Sequence, residues 1–318
     1  MSDAPTKLCA DSIIEESAPN LSDLSERDKP WDKHRSNADR IEGYYFGSEF
    51  QRYAERIDQC SQFLDFRLVP DTCGAYRLKL DSARFCRVRH CPVCQWRRSL
   101  MWKAKAYKIL PLVVQDHPKS RWLFLTLTVK NCSVTDLRST IQWMNESFKR
   151  MTKRKAFPAI GFIKSVEVTR NRWGDAHPHF HTLLMVPAGY FSGQEYLSQR
   201  KWCELWKSSL RVHYTPILDV QAVKQDKHPS SLIPELLKYT TKESDLIADR
   251  DWFLELTRQM HKLRSIAVGG VLKDYLKALE EEPGDLIGKG EEEKEEVDEG
   301  HLYFGWKRRV KRYKLIGD

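Results

Sequence analysis

"GFIKSVEVTRNRWGDAHPHFHTLLMVP", residues 161–187, is the stretch that decides the fold of this chain. Both of its halves are rich in β-branched and aromatic residues, which is typical of strands. A short polar segment, "RWGDA", separates them, and so short a connection favours an antiparallel hairpin. We therefore predict a hairpin of two strands, 161–171 and 177–187.

Regular patterns continue on both sides of this hairpin. Further strands are predicted at 121–131 and 214–224, where apolar residues alternate with polar ones or form short β-branched runs. Helices are predicted from apolar residues at helical spacing at 97–114, 133–154, 193–212, 230–246, 251–264 and 270–282. Strands mixed with helices in this order predict an α+β fold, with a mainly antiparallel central sheet and flanking helices.

Three histidines occupy every second position of the second hairpin strand: His177, His179 and His181. Alternate residues of a strand share a face, so the three imidazoles point the same way. Pro178 cannot donate to a ladder, which leaves His177 at the strand's start and favours the other two as metal ligands. Glu167 on the preceding strand is a candidate third ligand, with His177 as the alternative. Such a site suits a catalytic Mg²⁺ or Mn²⁺; histidines that serve only as surface or hydrogen-bonded groups are the plainer interpretation.

A tyrosine lies four residues after a glutamate in "IPELLKYTTKES", residues 233–244. If this segment is helical, Glu235, Tyr239 and Lys242 share one face. Beside a metal-bound phosphate and a cation, the phenol can act as a nucleophile, with the glutamate as a proton acceptor. The pattern is common by chance, and an ordinary polar pair on a helix is the plainer interpretation.

Cysteines cluster before the helix predicted at 97–114. The "CPVC" knuckle of Cys91 and Cys94 is typical of zinc sites, and Cys86 and Cys73 can complete a four-thiolate set. His90 is a competing ligand, and a redox-active pair is the alternative for the knuckle. The remaining cysteines, predicted to be buried or free thiols, are Cys9, Cys60, Cys132 and Cys203.

The charge of the chain is basic but uneven. Lys and Arg outnumber Asp and Glu by 53 to 44, a net charge of +9. Residues 280–300 hold eleven acids and two lysines, a net charge of −9, which leaves +18 on the rest. A basic body indicates a polyanionic partner, with nucleic acid the first candidate, a membrane surface the second, and simple solubility the third interpretation. Side chains predicted to contact DNA phosphates along the helix after the knuckle are Arg97, Arg98, Lys103 and Lys105.

These patterns suggest four regions. Residues 1–35 are predicted to be a disordered tail. Residues 36–115 form a zinc-binding and DNA-contacting module, 116–265 a catalytic domain, and 266–318 a C-terminal helix, an acidic linker and a basic tail. No apolar run is long enough to span a membrane, and no secretory signal is recognisable, so a cytoplasmic location is predicted.

Four segments together resemble a known family. "FLTLTVKN" (124–131), "HPHFHTLLMV" (177–186) and "LLKYTTK" (236–242) are similar, in this order, to the three motifs of rolling-circle plasmid replication initiators of the HUH endonuclease superfamily. "RHCPVCQWRRS" (89–99) is similar to the cysteine motif of one branch of these Rep proteins. The resemblance covers residues 73–245 and implies the HUH fold, preceded by a small zinc module.

The resemblance also implies roles for single residues. His179 and His181 would be the pair that binds Mg²⁺ or Mn²⁺, with Glu167 similar to an additional ligand. Tyr239 would be the single nucleophile that nicks the plasmid origin and keeps the 5′ phosphate. Glu235 resembles a glutamate that activates water at termination, a role made more important because position 243 is Glu rather than a second Tyr.

The partners and rivals of this function follow from the same resemblance. The partners implied are origin DNA, single-stranded at the nick, and a host helicase and polymerase, since no ATPase phosphate-binding loop is present. Within enzymes, the rival is an HUH transposase or relaxase. A second rival is not an enzyme: a zinc-dependent DNA-binding regulator without catalytic activity. A third rival is a phosphodiesterase that forms no covalent intermediate.

Overall fold

A computed structural model describes residues 18–70, 75–224, 228–237, 243–278 and 300–317. The chain forms two compact units: residues 1–94 with 286–318, called unit 1, and residues 95–285, called unit 2. In the described part, no helix is at once long and apolar enough to cross a membrane.

The helices begin and end as follows: α1 Leu21–Leu24, α2 Pro30–Tyr45, α3 Gln51–Asp58, α4 Pro92–Asp116, α5 Leu137–Thr152, α6 Gln199–Leu210, α7 Ile233–Leu236, α8 Glu243–Leu246, α9 Arg250–Gln259 and α10 Val271–Ala278. The strands are β1 Phe63–Pro70, β2 Tyr76–Ala83, β3 Arg121–Thr128, β4 Gly161–Arg170, β5 Ala176–Val186, β6 Leu218–Ala222, β7 Ile266–Gly270, β8 His301–Lys307 and β9 Arg312–Gly317.

Unit 2 contains a five-stranded sheet in the order β6-β3-β5-β4-β7, in which every neighbouring pair is antiparallel. The predicted hairpin of β4 and β5 is confirmed, and it turns through Gly174, whose φ of +92° favours glycine. The side-chain oxygen of Asn171 closes the turn by accepting from the backbone N–H groups of Trp173 and Asp175, each at 2.9 Å. The α+β fold with a mainly antiparallel sheet is confirmed.

Helices cover both faces of this sheet, as the alternation of β5 requires. On one face, Phe180 packs edge-on against Phe148 of α5, with ring centroids 6.2 Å apart. The opposite face carries Leu183 and Met185, which join a core with residues of α4, α7 and α10. Each face therefore buries its own set of apolar side chains, and the helix predicted at 133–154 is confirmed as α5.

Unit 1 contains a four-stranded antiparallel sheet in the order β2-β1-β8-β9. Its strands β8 and β9 are the segment predicted to be a basic tail, and that part of the prediction is wrong. Phe304, Trp306 and Tyr313 are buried in the core of the unit, so the segment alternates apolar and basic side chains as a half-buried hairpin does. The acidic segment between α10 and β8 lies outside the described residues.

The start of unit 1 also differs from the prediction of a disordered tail to residue 35. From residue 18 on, the chain is described, α1 packs against β9, and α2 begins at Pro30, where a proline is favoured. Leu21 and Trp31 are buried, and Trp31 lies edge-on to Tyr313 with centroids 6.2 Å apart. Burial against the far end of the chain stabilises this segment, and local composition does not reveal such a partner.

The prediction of one continuous helix at 230–246 is also wrong. A 3-10 turn, Pro229–Leu232, leads into α7, which ends at Leu236, and α8 begins at Glu243. Leu236 and Leu237 are both buried in the core of unit 2, although consecutive residues of a helix point about 100° apart. The backbone leaves the helical conformation at Leu237, whose φ is −112° and ψ is +28°.

Candidate functional site

The predicted metal ligands of unit 2 come together because of the hairpin register. Glu167 of β4 is directly opposite His179 of β5, and Ser165 is directly opposite His181. Residues opposite one another in an antiparallel pair, and their diagonal neighbours, project from the same face. Glu167 therefore reaches both histidines, as predicted from the sequence.

A single carboxylate oxygen faces both imidazoles. Oε2 of Glu167 lies 3.2 Å from Nε2 of His179 and 2.9 Å from Nε2 of His181. The two imidazole rings are nearly perpendicular, with centroids 4.9 Å apart. All three side chains are buried, Glu167 to 2% exposure, so they form an enclosed cluster at the polar end of a sheet face that becomes apolar at Leu183 and Met185.

The remaining ring nitrogens are occupied elsewhere. Nδ1 of His179 lies 3.2 Å from the backbone carbonyl oxygen of His177, which can only accept, so this nitrogen carries the proton. Nδ1 of His181 lies 3.3 Å from the hydroxyl of Thr126 on β3. Partners of this kind set the tautomer and orientation of metal-binding histidines.

This arrangement suits a cation. With its proton on Nδ1, neutral His179 directs the lone pair of Nε2 at the carboxylate oxygen, so a proton or a metal ion between these two atoms would satisfy both. Glu167, His179 and His181 offer ligand atoms within 4.8 Å of one another. Two imidazoles and a carboxylate leave further coordination positions open, so the set fits a divalent ion that also binds substrate oxygens.

His177 is placed beside this cluster rather than in it. Its Nδ1 lies 2.7 Å from Oδ1 of Asn131, and its ring is tilted by 33° against that of His179. Burial is the largest influence on the pKa of His177 and lowers it, while the charge of Glu167 acts in the opposite direction. Of the two candidates for a third ligand, the geometry therefore brings Glu167 to the pair.

The predicted nucleophile segment is described only in part. Glu235 lies in α7 and is exposed, whereas Tyr239 and Lys242 lie outside the described residues. The hydroxyl of Ser99 in α4 donates to the carbonyl oxygen of Leu237 at 2.6 Å. Leu237 packs in the core with Leu183, which shares the sheet face of the metal cluster. The described segment 228–237 thus ends on that same face, two residues before Tyr239.

Unit 1 contains a second cluster, made of four buried thiols: Cys60, Cys86, Cys91 and Cys94. The sulfur of Cys94 lies 3.6 Å from those of Cys60 and Cys86, and the sulfur of Cys91 lies 3.7 Å from that of Cys60. Four thiolates around a tetrahedral ion with Zn–S bonds of about 2.3 Å would stand about 3.8 Å apart. The thiols are therefore spaced as the ligands of a tetrahedral metal site.

The surroundings of the thiols support this. Backbone N–H groups point at three of the sulfurs: that of Arg87 at Cys94 (3.3 Å), that of Val88 at Cys86 (3.4 Å) and that of Cys86 at Cys60 (3.5 Å). Hydrogen bonds from the neighbouring thiols, that of Cys86 first, lower the pKa of Cys60, while burial raises the pKa of Cys91. The cluster thus favours a thiolate at Cys60, the form that binds a metal.

Cys60 supplies a thiol that the sequence did not identify, and the prediction that it is an ordinary buried or free thiol is wrong. Cys73, predicted in its place, lies outside the described residues, and His90 is buried but is not part of the cluster. The residues flanking Cys73, Pro70 and Tyr76, pair at one end of the β1–β2 hairpin, whereas Cys60 and Cys86 flank the other end. Spacing along the chain favoured Cys73, and no local signal could have favoured Cys60.

The predicted DNA-contacting cations all lie on α4 and are all partly exposed: Arg97, Arg98, Lys103 and Lys105. They do not form one stripe, because Lys103 is about 120° from Arg97 around the helix axis. Arg97 and Lys105 each lie over a tryptophan ring, of Trp96 at 5.6 Å and of Trp102 at 5.7 Å. Burial lowers the pKa of Lys103. The four cations are therefore spread around the helix rather than aligned along one face.

Comparison with known proteins gives consistent matches. A family model described as "Replication protein" matches residues 77–314. "Protein rep" of Streptococcus pneumoniae serotype 2 (strain D39 / NCTC 7466) is 37% identical over 243 residues, covering 73% of this chain and 75% of its own length. "Protein rep" of Bacillus amyloliquefaciens is 34% identical over 309 residues, 87% of both chains, and that of Lactiplantibacillus plantarum is 34% identical over 283 residues, 83% of this chain and 87% of its own. No solved structure matches the chain.

Proposed function

The chain belongs to the Replication protein family, and from this premise we propose that it initiates rolling-circle replication of a plasmid by cutting one strand of the origin. The cut is a transesterification that keeps the energy of the phosphodiester in a protein–DNA bond. Rejoining is the reverse of the same step, so the protein is a site-specific nicking and strand-transfer enzyme.

The observation that carries this proposal is the cluster of Glu167, His179 and His181 on one sheet face. These residues would hold Mg²⁺ or Mn²⁺, which would polarise the scissile phosphate. His177, held by Asn131, stands next to them at the start of β5. Thr126 and the carbonyl group of His177 keep the two ligand rings oriented.

Tyr239 is the nucleophile of the proposed reaction. Leu237 is in the core of unit 2 on the same face as the cluster, and Tyr239 follows it by two residues, which span up to about 7 Å. The phenol oxygen forms a bond to phosphorus and the P–O3′ bond breaks. The phenol proton passes to a base, and the leaving oxygen takes up a proton and becomes a free 3′-OH that a polymerase can extend.

Glu235 and Lys242 assist this step. Glu235 lies four residues before Tyr239 and its side chain is exposed, so it can accept the phenol proton or deprotonate the water that later hydrolyses the phosphotyrosine. Lys242 would stabilise negative charge on the phenol oxygen or the phosphate. Hydrolysis by water after one round would prevent re-initiation in a chain with a single nucleophile.

The thiol cluster of unit 1 has a structural role in this proposal. Cys60, Cys86, Cys91 and Cys94 would bind Zn²⁺ with all four positions filled, leaving none for a substrate. The site would join the chain before β1, the loop after β2 and the start of α4. The cations of α4, Arg97, Arg98, Lys103 and Lys105, would contact origin DNA, and a host helicase and polymerase would extend the nicked strand in the cytoplasm.

The experiment uses a supercoiled plasmid that carries the gene and its flanking DNA, incubated with the full-length protein and Mn²⁺. Wild type is compared with Tyr239→Phe, and with Tyr196→Phe as a matched loss of a partly exposed tyrosine hydroxyl in unit 2. Wild type and Tyr196→Phe are expected to give nicked plasmid with protein attached to a 5′ end, and Tyr239→Phe is expected to give none.

Other results identify the rival functions. Equal nicking by Tyr239→Phe means that another tyrosine attacks or that the reaction is hydrolytic, as in a phosphodiesterase. Binding of the origin without nicking by any of the proteins indicates a non-catalytic regulator. A transposase or relaxase would nick through the same chemistry, but membership of the Replication protein family favours a role in replication.

A further inference from the structure

The sheet of unit 1 has one covered face. Leu64 and Phe66 of β1 and Phe304 and Trp306 of β8 point to this face and are buried. The indole N–H of Trp306 donates to a carboxylate oxygen of Asp39 in α2 at 2.9 Å. Helix α2 thus packs on this face and leaves the alternate residues of β1 and β8 on the other.

The opposite face of the same strands is open. Phe63 of β1 is 64% exposed, Tyr303 of β8 is 42% exposed, and Ile316 at the end of β9 is 49% exposed. The imidazole of His301 is stacked near the ring of Tyr303, with centroids 6.0 Å apart and planes inclined by 20°. The two inner strands of a four-stranded sheet therefore present aromatic rings to solvent, and soluble proteins seldom expose such groups together without a partner.

Gly305 of β8 lies between two of these exposed side chains, Phe63 on β1 and Ile316 on β9. Gly305 is directly opposite Phe63 in the β1–β8 pair. A Cβ atom placed on Gly305 would lie 3.3 Å from a methyl group of Ile316 and 3.6 Å from the ring of Phe63. Glycine inside a strand weakens the strand and often marks a place where a ligand approaches closely. Without a side chain at Gly305, Phe63 and Ile316 come together over it from the two neighbouring strands.

The charge of this face is positive. Its basic residues, by strand alternation and register, are Arg67, Arg77, Lys79, Lys307, Arg312 and Lys314, of which Lys314 is buried. Its carboxylates are Asp65, which lies 2.5 Å from Nδ1 of His301, and Asp81, which pairs with Arg67 at 2.8 Å. Cations outnumber carboxylates, and both carboxylates already have partners within the protein. A polyanion therefore complements this surface.

We propose that this open face, defined by Phe63, His301, Tyr303, Gly305 and Ile316, binds single-stranded DNA. Exposed rings on the inner strands stack on unpaired bases, and the surrounding cations contact the phosphates. Duplex DNA does not fit, because its bases are already stacked on one another and their faces are not accessible. The inference rests on the proposed role in DNA replication but not on the nicking chemistry, since Glu167, His179 and His181 belong to unit 2.

The test is the affinity of the full-length protein for a fluorescein-labelled oligothymidylate, measured by fluorescence anisotropy in buffer without added divalent metal. This probe carries no origin sequence. Phe63→Ala and Tyr303→Ala are each expected to weaken binding about 5- to 100-fold, because each removes a stacking ring. Tyr303→Phe, which keeps the ring, is expected to bind within about twofold of wild type.

Phe46→Ala is the matched control. Phe46 follows α2 and is 66% exposed, about as much as Phe63, but it is not on the sheet. Its loss is expected to leave the affinity unchanged. If Phe63→Ala and Tyr303→Ala bind as wild type and Phe46→Ala do, the proposed surface is wrong. It is also wrong if duplex DNA of the same length binds as tightly as the single strand.

Failure of this inference and failure of the proposed nicking are distinguishable. Nicking of the supercoiled plasmid depends on Tyr239 and on divalent metal, and oligothymidylate binding is measured without that metal. Loss of binding in Tyr303→Ala, together with undiminished nicking by Tyr239→Phe, would retain the surface and reject Tyr239 as the nucleophile. The opposite pair of results would reject the surface alone.

Discussion

Two histidines on one strand do different things because of what their second nitrogen contacts. Nε2 of His179 faces Glu167, while the carbonyl group of His177 accepts from Nδ1 of His179. His177, two residues earlier on the same face, instead contacts Asn131. The hydrogen-bond partners, rather than the residue type, distinguish the candidate metal ligand His179 from its neighbour His177.

This difference predicts how Mn²⁺ binding responds to substitution. His179→Ala and His181→Ala are expected to weaken Mn²⁺ binding by at least about 10-fold, because each removes a proposed ligand atom. Glu167→Gln is expected to weaken Mn²⁺ binding to a similar extent. His177→Ala is the matched control and is expected to change the dissociation constant little. Isothermal titration of the full-length protein measures this. Equal losses in His177→Ala and His179→Ala would mean that His177 is also a ligand.

Lys164 is a buried amine on the side of the same hairpin that α5 covers. Its Nζ donates to Oδ1 of Asn145 and lies 3.8 Å from the ring centroid of Phe180, the residue between His179 and His181. Burial lowers its pKa from 10.5 to about 7. The amide oxygen and the ring favour the charged form, but burial outweighs them.

Linkage gives the sign of the effect on stability. Between about pH 7 and 10.5, the unfolded chain holds a proton on Lys164 that the folded chain lacks. The free energy of unfolding therefore rises as pH rises through this window and falls as pH falls through it. In Lys164→Met this contribution is expected to disappear, so the free energy of unfolding should rise less between pH 7.5 and 9.5. Urea denaturation at both pH values measures the difference. Parallel slopes in the two proteins would show that Lys164 does not titrate in this range.

At the scale of elements, the thiol cluster depends on which ends of a hairpin meet. Cys60 precedes β1, and Cys86 follows β2, so antiparallel pairing of these strands brings both to one end. Cys91 precedes α4 and Cys94 lies in its first turn, where the "CPVC" knuckle directs both thiols inward. Three separate elements therefore supply one site.

The zinc content of two variants can decide whether Cys60 or Cys73 is the fourth thiol of the proposed zinc site. Cys60→Ser is expected to lose most of the one equivalent of zinc, because three thiolates bind more weakly than four. Cys73→Ser, the residue favoured by sequence spacing, is expected to retain about one equivalent. Zinc released on denaturation, measured with a colorimetric chelator, decides between them. Retention by Cys60→Ser with loss from Cys73→Ser would exclude the observed cluster as the zinc site.

At the scale of the whole molecule, the two ends of the chain build one unit. Strand β8 pairs with β1, and the hydroxyl of Tyr313 donates to the carbonyl oxygen of Ser61, 252 positions earlier, at 2.7 Å. Arg308 pairs with Glu42 of α2 at 2.7 Å. The C-terminal hairpin is therefore part of the core of unit 1, and the other unit lies between its two segments in the sequence.

Neighbouring residues of β8 test this. Phe304→Ala is expected to cost unit 1 about 3–5 kcal/mol, because it leaves a cavity beside Phe66. Tyr303→Ala, one residue earlier and on the open face, is expected to change stability by no more than about 0.5 kcal/mol. Thermal unfolding monitored together with zinc release measures both. Similar stabilities for the two variants would mean that the C-terminal hairpin does not contribute to the core.

The sequence by itself determined the hairpin of β4 and β5, the shared face of the histidines and the "CPVC" knuckle. Each depends on contacts between residues close in the chain, where strand alternation and turn chemistry act directly. Glu167 was a candidate from the sequence, but the choice between it and His177 needed the hairpin register, which the structure supplies by placing Glu167 opposite His179. Only the tertiary structure decided that Cys60 completes the thiol cluster, that the helix predicted at 230–246 ends at Leu236, and that the basic C-terminal segment is a hairpin of the first unit. Those outcomes depend on burial against residues far away in the sequence, and such packing energies leave no periodic signal in the segment that they shape.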